Sequence, residues 1–205
     1  MRLVTLIFFI LSCSIKQENK FPKDIDWIEF FDKYPNYKAQ EFIYPVGKNG
    51  SAQGYYVAQG FGEKNKRFGG NKHLGEDWNG IGGGDSDYGD PILAISNGYV
   101  VYVGFAGIGW GDVIRIVHYF KQDEKIFILE SIYAHISKSY VQENQFVTKG
   151  QKIAEIGNAG GLYPAHLHFE LRDNPKMDLG GGYASEIEGF LNPRKFIEKQ
   201  KRLYK

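Results

Sequence analysis

Pro164-Ala165-His166-Leu167-His168-Phe169-Glu170-Leu171 sets two imidazoles two residues apart in an alternating run. Side chains of a strand point alternately to its two sides. His166, His168 and Glu170 therefore share one face, and Leu167, Phe169 and Leu171 share the other. The stretch predicts a half-exposed strand whose apolar face packs and whose polar face can hold a metal.

Two histidines on such a strand are by themselves weak evidence of a metal, so the remaining ones decide. The chain has only five. Besides this pair they are His73 in His73-Leu74-Gly75-Glu76-Asp77, His118, and His135 in Ile132-Tyr133-Ala134-His135-Ile136. His118 shares a strand face with Ile114, Ile116 and Phe120, which predicts a hydrogen-bonded core histidine rather than a ligand. Of the carboxylates near His73, Glu76 and Asp77 are both chemically able to ligate.

At 205 residues the chain suits one domain with attachments. Lys+Arg 25 against Asp+Glu 24 gives a net charge of +1, which leaves no basic field for nucleic acid. Gly 26 and 16% aromatics favour short strands and turns over helices. The expected fold class is mainly β, built of antiparallel sheets with short peripheral helices.

The beginning of the chain differs. Arg2 precedes an apolar run from Leu3 to Leu11, followed by Ser12 and the single cysteine, Cys13. Spanning a bilayer takes about 20 residues, whereas this run has the length of a secretory h-region. Ile10-Leu11-Ser12-Cys13 is similar to a bacterial lipobox, with Leu11 an unusual occupant, and makes Cys13 the candidate lipidation site. One cysteine excludes an internal disulfide framework. The expected organisation is a signal peptide over 1–12, a lipidated Cys13 with tether and short helix over 13–42, a main domain over 43–172, and an extension with a short helix over 173–205.

Along the chain, Trp27, Phe30, Phe31 and Tyr34 recur at near-helical spacing, and Pro35 limits the helix they predict. Sheet structure is expected from Ile43-Tyr44-Pro45-Val46. His73 and Asp77 fall among glycines, on a strand edge and loop. Gly82 to Asp90 reads as a solvated loop; its aspartates fit no EF-hand spacing. Asn97-Gly98 between Pro91–Ile95 and Tyr99–Val103 predicts a hairpin. The strand from Val113 to Phe120 is expected to pair with Ile126 to His135. Lys149-Gly150 marks a turn, Gly157 to Gly161 a loop beside the site, and Pro193 the start of a terminal helix with a solvated basic end.

His73-Leu74-Gly75-Glu76-Asp77, Gly89-Asp90-Pro91-Ile92-Leu93-Ala94, Tyr133-Ala134-His135, Val147-Thr148-Lys149-Gly150-Gln151 and His166-Leu167-His168, in that order, resemble the M23 (lysostaphin/LytM-type) zinc endopeptidases. The resemblance runs from about Tyr44 to Arg172, with a weaker echo at Phe190 to Ile197. It implies the antiparallel, duplicated hybrid motif-like fold of that family. It also implies one Zn2+ per chain held by His73, Asp77 and His168, with His135 and His166 beside the attacking water, and it favours Asp77 over Glu76. The implied substrate is the peptide cross-link of bacterial peptidoglycan. The N-terminal run and Cys13 add the expected location, an exported lipoprotein facing the periplasm or cell wall, and Ser14 in place of an inner-membrane retention aspartate favours the outer membrane if the cell has two. Some members have lost ligands and instead activate cell-wall amidases, so an amidase partner is the alternative; retention of all five positions favours catalysis. A biotinyl-type carrier lacks its lysine between methionines. The Trp78–Tyr88 stretch is longer than the family's pattern, and Tyr55, Trp78, Trp110 and Tyr163 are candidate groove aromatics left outside the expected site.

Overall fold

A computed structural model describes residues 24–203; the expected signal peptide and Cys13 lie outside them. Among the described residues two α-helices, α1 (Trp27–Lys33) and α2 (Pro193–Leu203), accompany thirteen strands. These are β1 (Tyr55–Gln59), β2 (Lys64–Asn65), β3 (Asn71–His73), β4 (Glu76–Gly80), β5 (Pro91–Leu93), β6 (Gly98–Phe105), β7 (Asp112–Gln122), β8 (Lys125–Ser139), β9 (Phe146–Val147), β10 (Lys152–Ile156), β11 (Leu167–Arg172), β12 (Tyr183–Ala184) and β13 (Phe190–Leu191). All pairs between these strands are antiparallel. The large sheet runs β1-β4-β11-β8-β7-β6-β9, with β10 joining β5 and β8 and with β13 on β11. A small sheet runs β12-β3-β2.

β7 and β8 form the central hairpin, as expected. Its turn residues Asp123 (φ 48) and Glu124 (φ 61) are both left-handed, the geometry that matches the twist of paired strands. One face of this sheet, with Ile114, Ile116, Leu129, Tyr133, Leu167 and Phe169, packs into the main core. The opposite face carries Arg115, Glu130, Glu170 and Arg172, all buried. β11 is thus buried on both sides along its whole length, not half exposed as its alternation predicts. Two arginine–glutamate pairs, Arg115 Nε to Glu130 Oε1 at 2.7 Å and Arg172 Nη2 to Glu170 Oε2 at 2.7 Å, make that second burial tolerable.

α1 begins at Asp26, whose Oδ1 accepts from the N–H groups of Ile28 and Glu29, and it ends before Pro35. Its Trp27 and Phe31 pack against Val101, Val117 and Tyr119 in a second cluster. α2 starts at Pro193 after Asn192, whose Oδ1 accepts from Lys195 N. Phe196 and Ile197 reach the main core. The helix continues to Leu203, so the segment from Lys199 is helical rather than a tail, with Gln200 buried while Lys199 and Arg202 are solvated as expected.

Two other expectations change. Ile43 and Pro45 bond to the β5 region through Ile43 N–H to Ile95 O and Leu93 N–H to Pro45 O, but the chain bends over 45–47, Pro45 lacks a donor and Gly47 turns at φ 80, so the first strand starts at Tyr55. Asn97-Gly98 makes no hairpin: β5 pairs with β10, and β6 pairs with β7 and β9. Gly98 is needed for close approach, since a Cβ there would lie 2.7 Å from His118 Nδ1 and Val117 O. The loop over 82–90 is largely solvated, as expected, but is pinned at two points: Asp87 is 1% exposed and accepts from Gly80 N, and Asp90 accepts from the Tyr55 hydroxyl.

Candidate metal centre

Strand register builds the site. In the β4–β11 pair Asp77 stands directly opposite His168, so their side chains leave the sheet on one face. Glu76, one residue earlier, points to the other face, where Arg194 Nε donates to its Oε1 at 3.0 Å. His73 arrives from the end of β3, and the tight connection to β4 requires Gly75, because a Cβ there would sit 2.5 Å from Phe169 O.

The result is a compact donor set. His73 Nε2 lies 3.0 Å from His168 Nδ1 and 3.3 Å from Asp77 Oδ1, and His168 Nδ1 lies 2.9 Å from Asp77 Oδ1. Donors bound about 2.0–2.1 Å from a tetrahedral zinc are separated by about 3.3 Å, so the spacing fits such an ion. The electrostatics fit it too. Burial alone would raise the Asp77 pKa, yet hydrogen bonds with His168 and His73 hold the carboxyl well below the usual range. Burial opposes a charged His168, but Asp77 and Glu170 overcome this and raise its pKa to about 9. The cluster therefore favours a positive charge at its centre.

Beneath the cluster, His168 Nε2 is 3.1 Å from Glu170 Oε1. Glu170 is fully buried; the Arg172 charge and the His168 hydrogen bond outweigh burial and keep it ionised. A carboxylate behind a ligating imidazole fixes its tautomer and strengthens it as a ligand. His73 Nδ1 has no protein partner, and the His73 ring instead stacks on Tyr183 with centroids 5.0 Å apart.

The two other site histidines are held in one matching way. His166 Nδ1 donates to Pro164 O at 2.8 Å and His135 Nδ1 to Trp110 O at 3.1 Å, so each leaves Nε2 as the free lone-pair nitrogen. Their ring centroids are 4.6 Å apart, and His166 Nε2 is 3.8 Å from Asp77 Oδ1. Burial, then repulsion from His166 and His168, lowers the His135 pKa to about 3, which keeps it neutral. A straight β8 would aim His135 into the core with Tyr133. Instead Asp112 pairs with Ile136 and Val113 with Ala134, leaving His135 as the extra residue of a bulge at φ 64. That left-handed residue turns the imidazole onto the site face and returns Ile136 to the core. His118 lies elsewhere, fully buried between Asn97 O and Ser131 Oγ at 2.8 Å each, as its core reading expects.

The site opens into a cleft of about 440 Å³. Trp110 and Tyr163 line it, whereas Tyr55 bonds Asp90 and Trp78 is in the core. Sequence reading missed Arg67, Phe68 and the Gly180–Tyr183 wall, all of which also line it. β12 pairs Tyr183 with His73, Leu74 N–H donates to Gly182 O, and Trp110 Nε1 donates to Gly180 O. The only sequence sign was the glycine triplet, which reads as a loose connection.

All five residues lie within the span 73–178 that matches Peptidase family M23, and the chain belongs to that family. Over 84 residues it is 42% identical to lipoprotein NlpD of Yersinia enterocolitica, covering 41% of this chain and 78% of that protein. The same identity over the same share of this chain holds for murein hydrolase activator NlpD of Escherichia coli K12, of which only 20% is spanned. Among solved structures, a zinc-containing peptidase from Vibrio cholerae is 29% identical with a TM-score of 0.51, over 65% of this chain and 37% of that one. The catalytic domain of lysostaphin from Staphylococcus simulans shares the fold at TM-score 0.56 and 24% identity, over 75% and 99% of the two chains. Among the described residues no helix is long and apolar enough to cross a membrane.

Proposed function

We propose that this protein is a zinc-dependent endopeptidase that hydrolyses peptide cross-links of bacterial peptidoglycan, exported and anchored to a membrane through lipidated Cys13. The observation that carries the reading is the convergence of three metal donors with two imidazoles whose Nδ1 atoms are engaged by backbone carbonyls and whose Nε2 atoms have no hydrogen-bond partner.

His73, Asp77 and His168 are the proposed zinc ligands. A zinc ion held there would supply Lewis acidity toward the scissile carbonyl and the attacking water. Asp77 and Glu170 hold the charge balance, and Glu170 keeps the His168 Nδ1 lone pair directed at the site. His135 stays neutral and orients the attacking water through Nε2. His166 accepts a proton at Nε2 while its Nδ1–H remains on Pro164 O, and it can return that proton to the leaving amine. The aromatic walls of the cleft restrict access of bulk water, which strengthens each of these interactions.

A second reading is activation of a cell-wall amidase by docking, favoured by the 42% identity to a protein named murein hydrolase activator. An adaptor has no physical need for an open donor set with two poised bases. The test is digestion of purified peptidoglycan by the zinc-loaded protein with mass analysis of the fragments: new amino termini within the peptides support hydrolysis, and activity seen only with an added amidase supports the second reading.

A further inference from the structure

Three of the four imidazoles at the site anchor one ring nitrogen on a fixed oxygen: His168 on Glu170, His135 on Trp110 O and His166 on Pro164 O. His73 does not. Its Nε2 faces Asp77 and His168, and its Nδ1 is buried with no hydrogen-bond partner among the described residues. A neutral imidazole that presents its Nε2 lone pair to a metal carries its proton on Nδ1. That buried N–H goes unanswered, so no hydrogen bond sets the orientation of the ring.

Aromatic stacking sets it instead. Tyr183 stands directly opposite His73 in the β3–β12 pair, and its ring lies on the imidazole with centroids 5.0 Å apart and planes 29° apart. Tyr183 is itself held at three points. Its ring stacks on Phe68 at 3.9 Å and 8°, its hydroxyl donates to Gln59 Oε1 at 2.9 Å, and the preceding Gly182 O accepts from Leu74 N–H at 3.0 Å. Asn65 Nδ2 donates to the same Gln59 oxygen and braces it. Tyr183 also lies past residue 178, where the match to the family ends.

We infer that Tyr183 is a positioning residue for His73: its ring, backed by Phe68, fixes the imidazole as a metal ligand, the part that the buried Glu170 carboxylate plays for His168. The metal centre thereby depends on the C-terminal extension of the chain. This rests on the assignment of the zinc ligands above and not on hydrolysis.

The test is the zinc affinity of the full chain by competition with a chelator, together with the visible spectrum of its cobalt-substituted form, which reports coordination geometry. Tyr183→Leu should weaken zinc binding by about 10- to 100-fold, the range for partners behind a ligand, and shift the cobalt bands. Tyr183→Phe keeps the ring and drops the hydroxyl, and it should match wild type in both readouts. Phe68→Ala, on the exposed turn Lys66–Phe68, should move both in the direction of Tyr183→Leu by less, and it carries the test if Tyr183→Leu does not fold. Unchanged affinity in Tyr183→Leu or in Phe68→Ala, an equal loss in Tyr183→Phe and Tyr183→Leu, or weaker binding with an unaltered cobalt spectrum overturns the inference and leaves the metal centre standing. A wild-type chain that takes up no zinc removes both.

Discussion

Glu170 Oε1 lies 3.1 Å from His168 Nε2, two residues back on the same strand, while its Oε2 is gripped by Arg172 Nη2 at 2.7 Å. The proposed ligand is thus positioned by a buried ion pair that never reaches the cleft. Arg172 also donates to Asp178 O and Leu179 O, which ties the same pair to the chain entering the Gly180–Tyr183 wall.

Glu170→Gln keeps the shape but removes the charge behind His168. Zinc affinity, measured by competition with a chelator, is expected to fall by about 10- to 100-fold, the range for partners behind a ligating histidine. An unchanged affinity would show that His168 needs no such support.

The loop over 82–90 is expected to act on His166. Asp85 Oδ1 accepts from Ala165 N at 2.7 Å, bracing the residue before His166. Asp85→Ala should lower kcat by about 10- to 100-fold with zinc retained, since misplacing a catalytic group by about an ångström has that effect. Asp85→Asn, which keeps an acceptor, should recover most of it. Equal kcat for wild type and Asp85→Ala would remove the role.

How much of this was legible follows from the residues. Identity and alternation placed His166 and His168 on one face, and the order of separated motifs supplied His73, Asp77 and His135. The bulge at His135 was hidden, because nothing in Ala134-His135-Ile136 announces a left-handed residue. The hairpin at Asn97-Gly98 failed because the glycine answers a tertiary demand from His118 and Val117, not a turn. The burial of both faces of β11 was missed for a similar reason: Glu170 and Arg172 look like surface charges until each finds the other.

His118 should make stability depend on pH. Burial lowers its pKa to about 4, against about 6.5 in an unfolded chain. Nδ1–H is donated to Asn97 O and Nε2 lies 2.8 Å from Ser131 Oγ, and the complete burial of the ring disfavours its charged form. The unfolded chain takes up the proton first, so this contribution is complete above pH 6.5 and is lost as pH falls towards 4, in total about 3 kcal/mol. Urea unfolding at pH 7.5 and 4.5 should show wild type losing more stability than His118→Gln by roughly that amount. Parallel losses would contradict it.

Cys13 is the proposed attachment point, so Cys13→Ala should move the protein from the detergent phase to the aqueous fraction or leave it unprocessed. Unchanged membrane attachment would remove the lipid anchor.

The central claim is that three residues hold zinc and two others do the proton chemistry around it. Wild type, His168→Ala and His166→Ala are to be compared for bound zinc and for release of fragments from cross-linked peptidoglycan. Wild type should bind one zinc and cleave, His168→Ala should lose both, and His166→Ala should keep zinc but cleave about 10² to 10⁴ times more slowly. Digestion by His166→Ala at the wild-type rate, or full zinc occupancy in His168→Ala, would contradict the account.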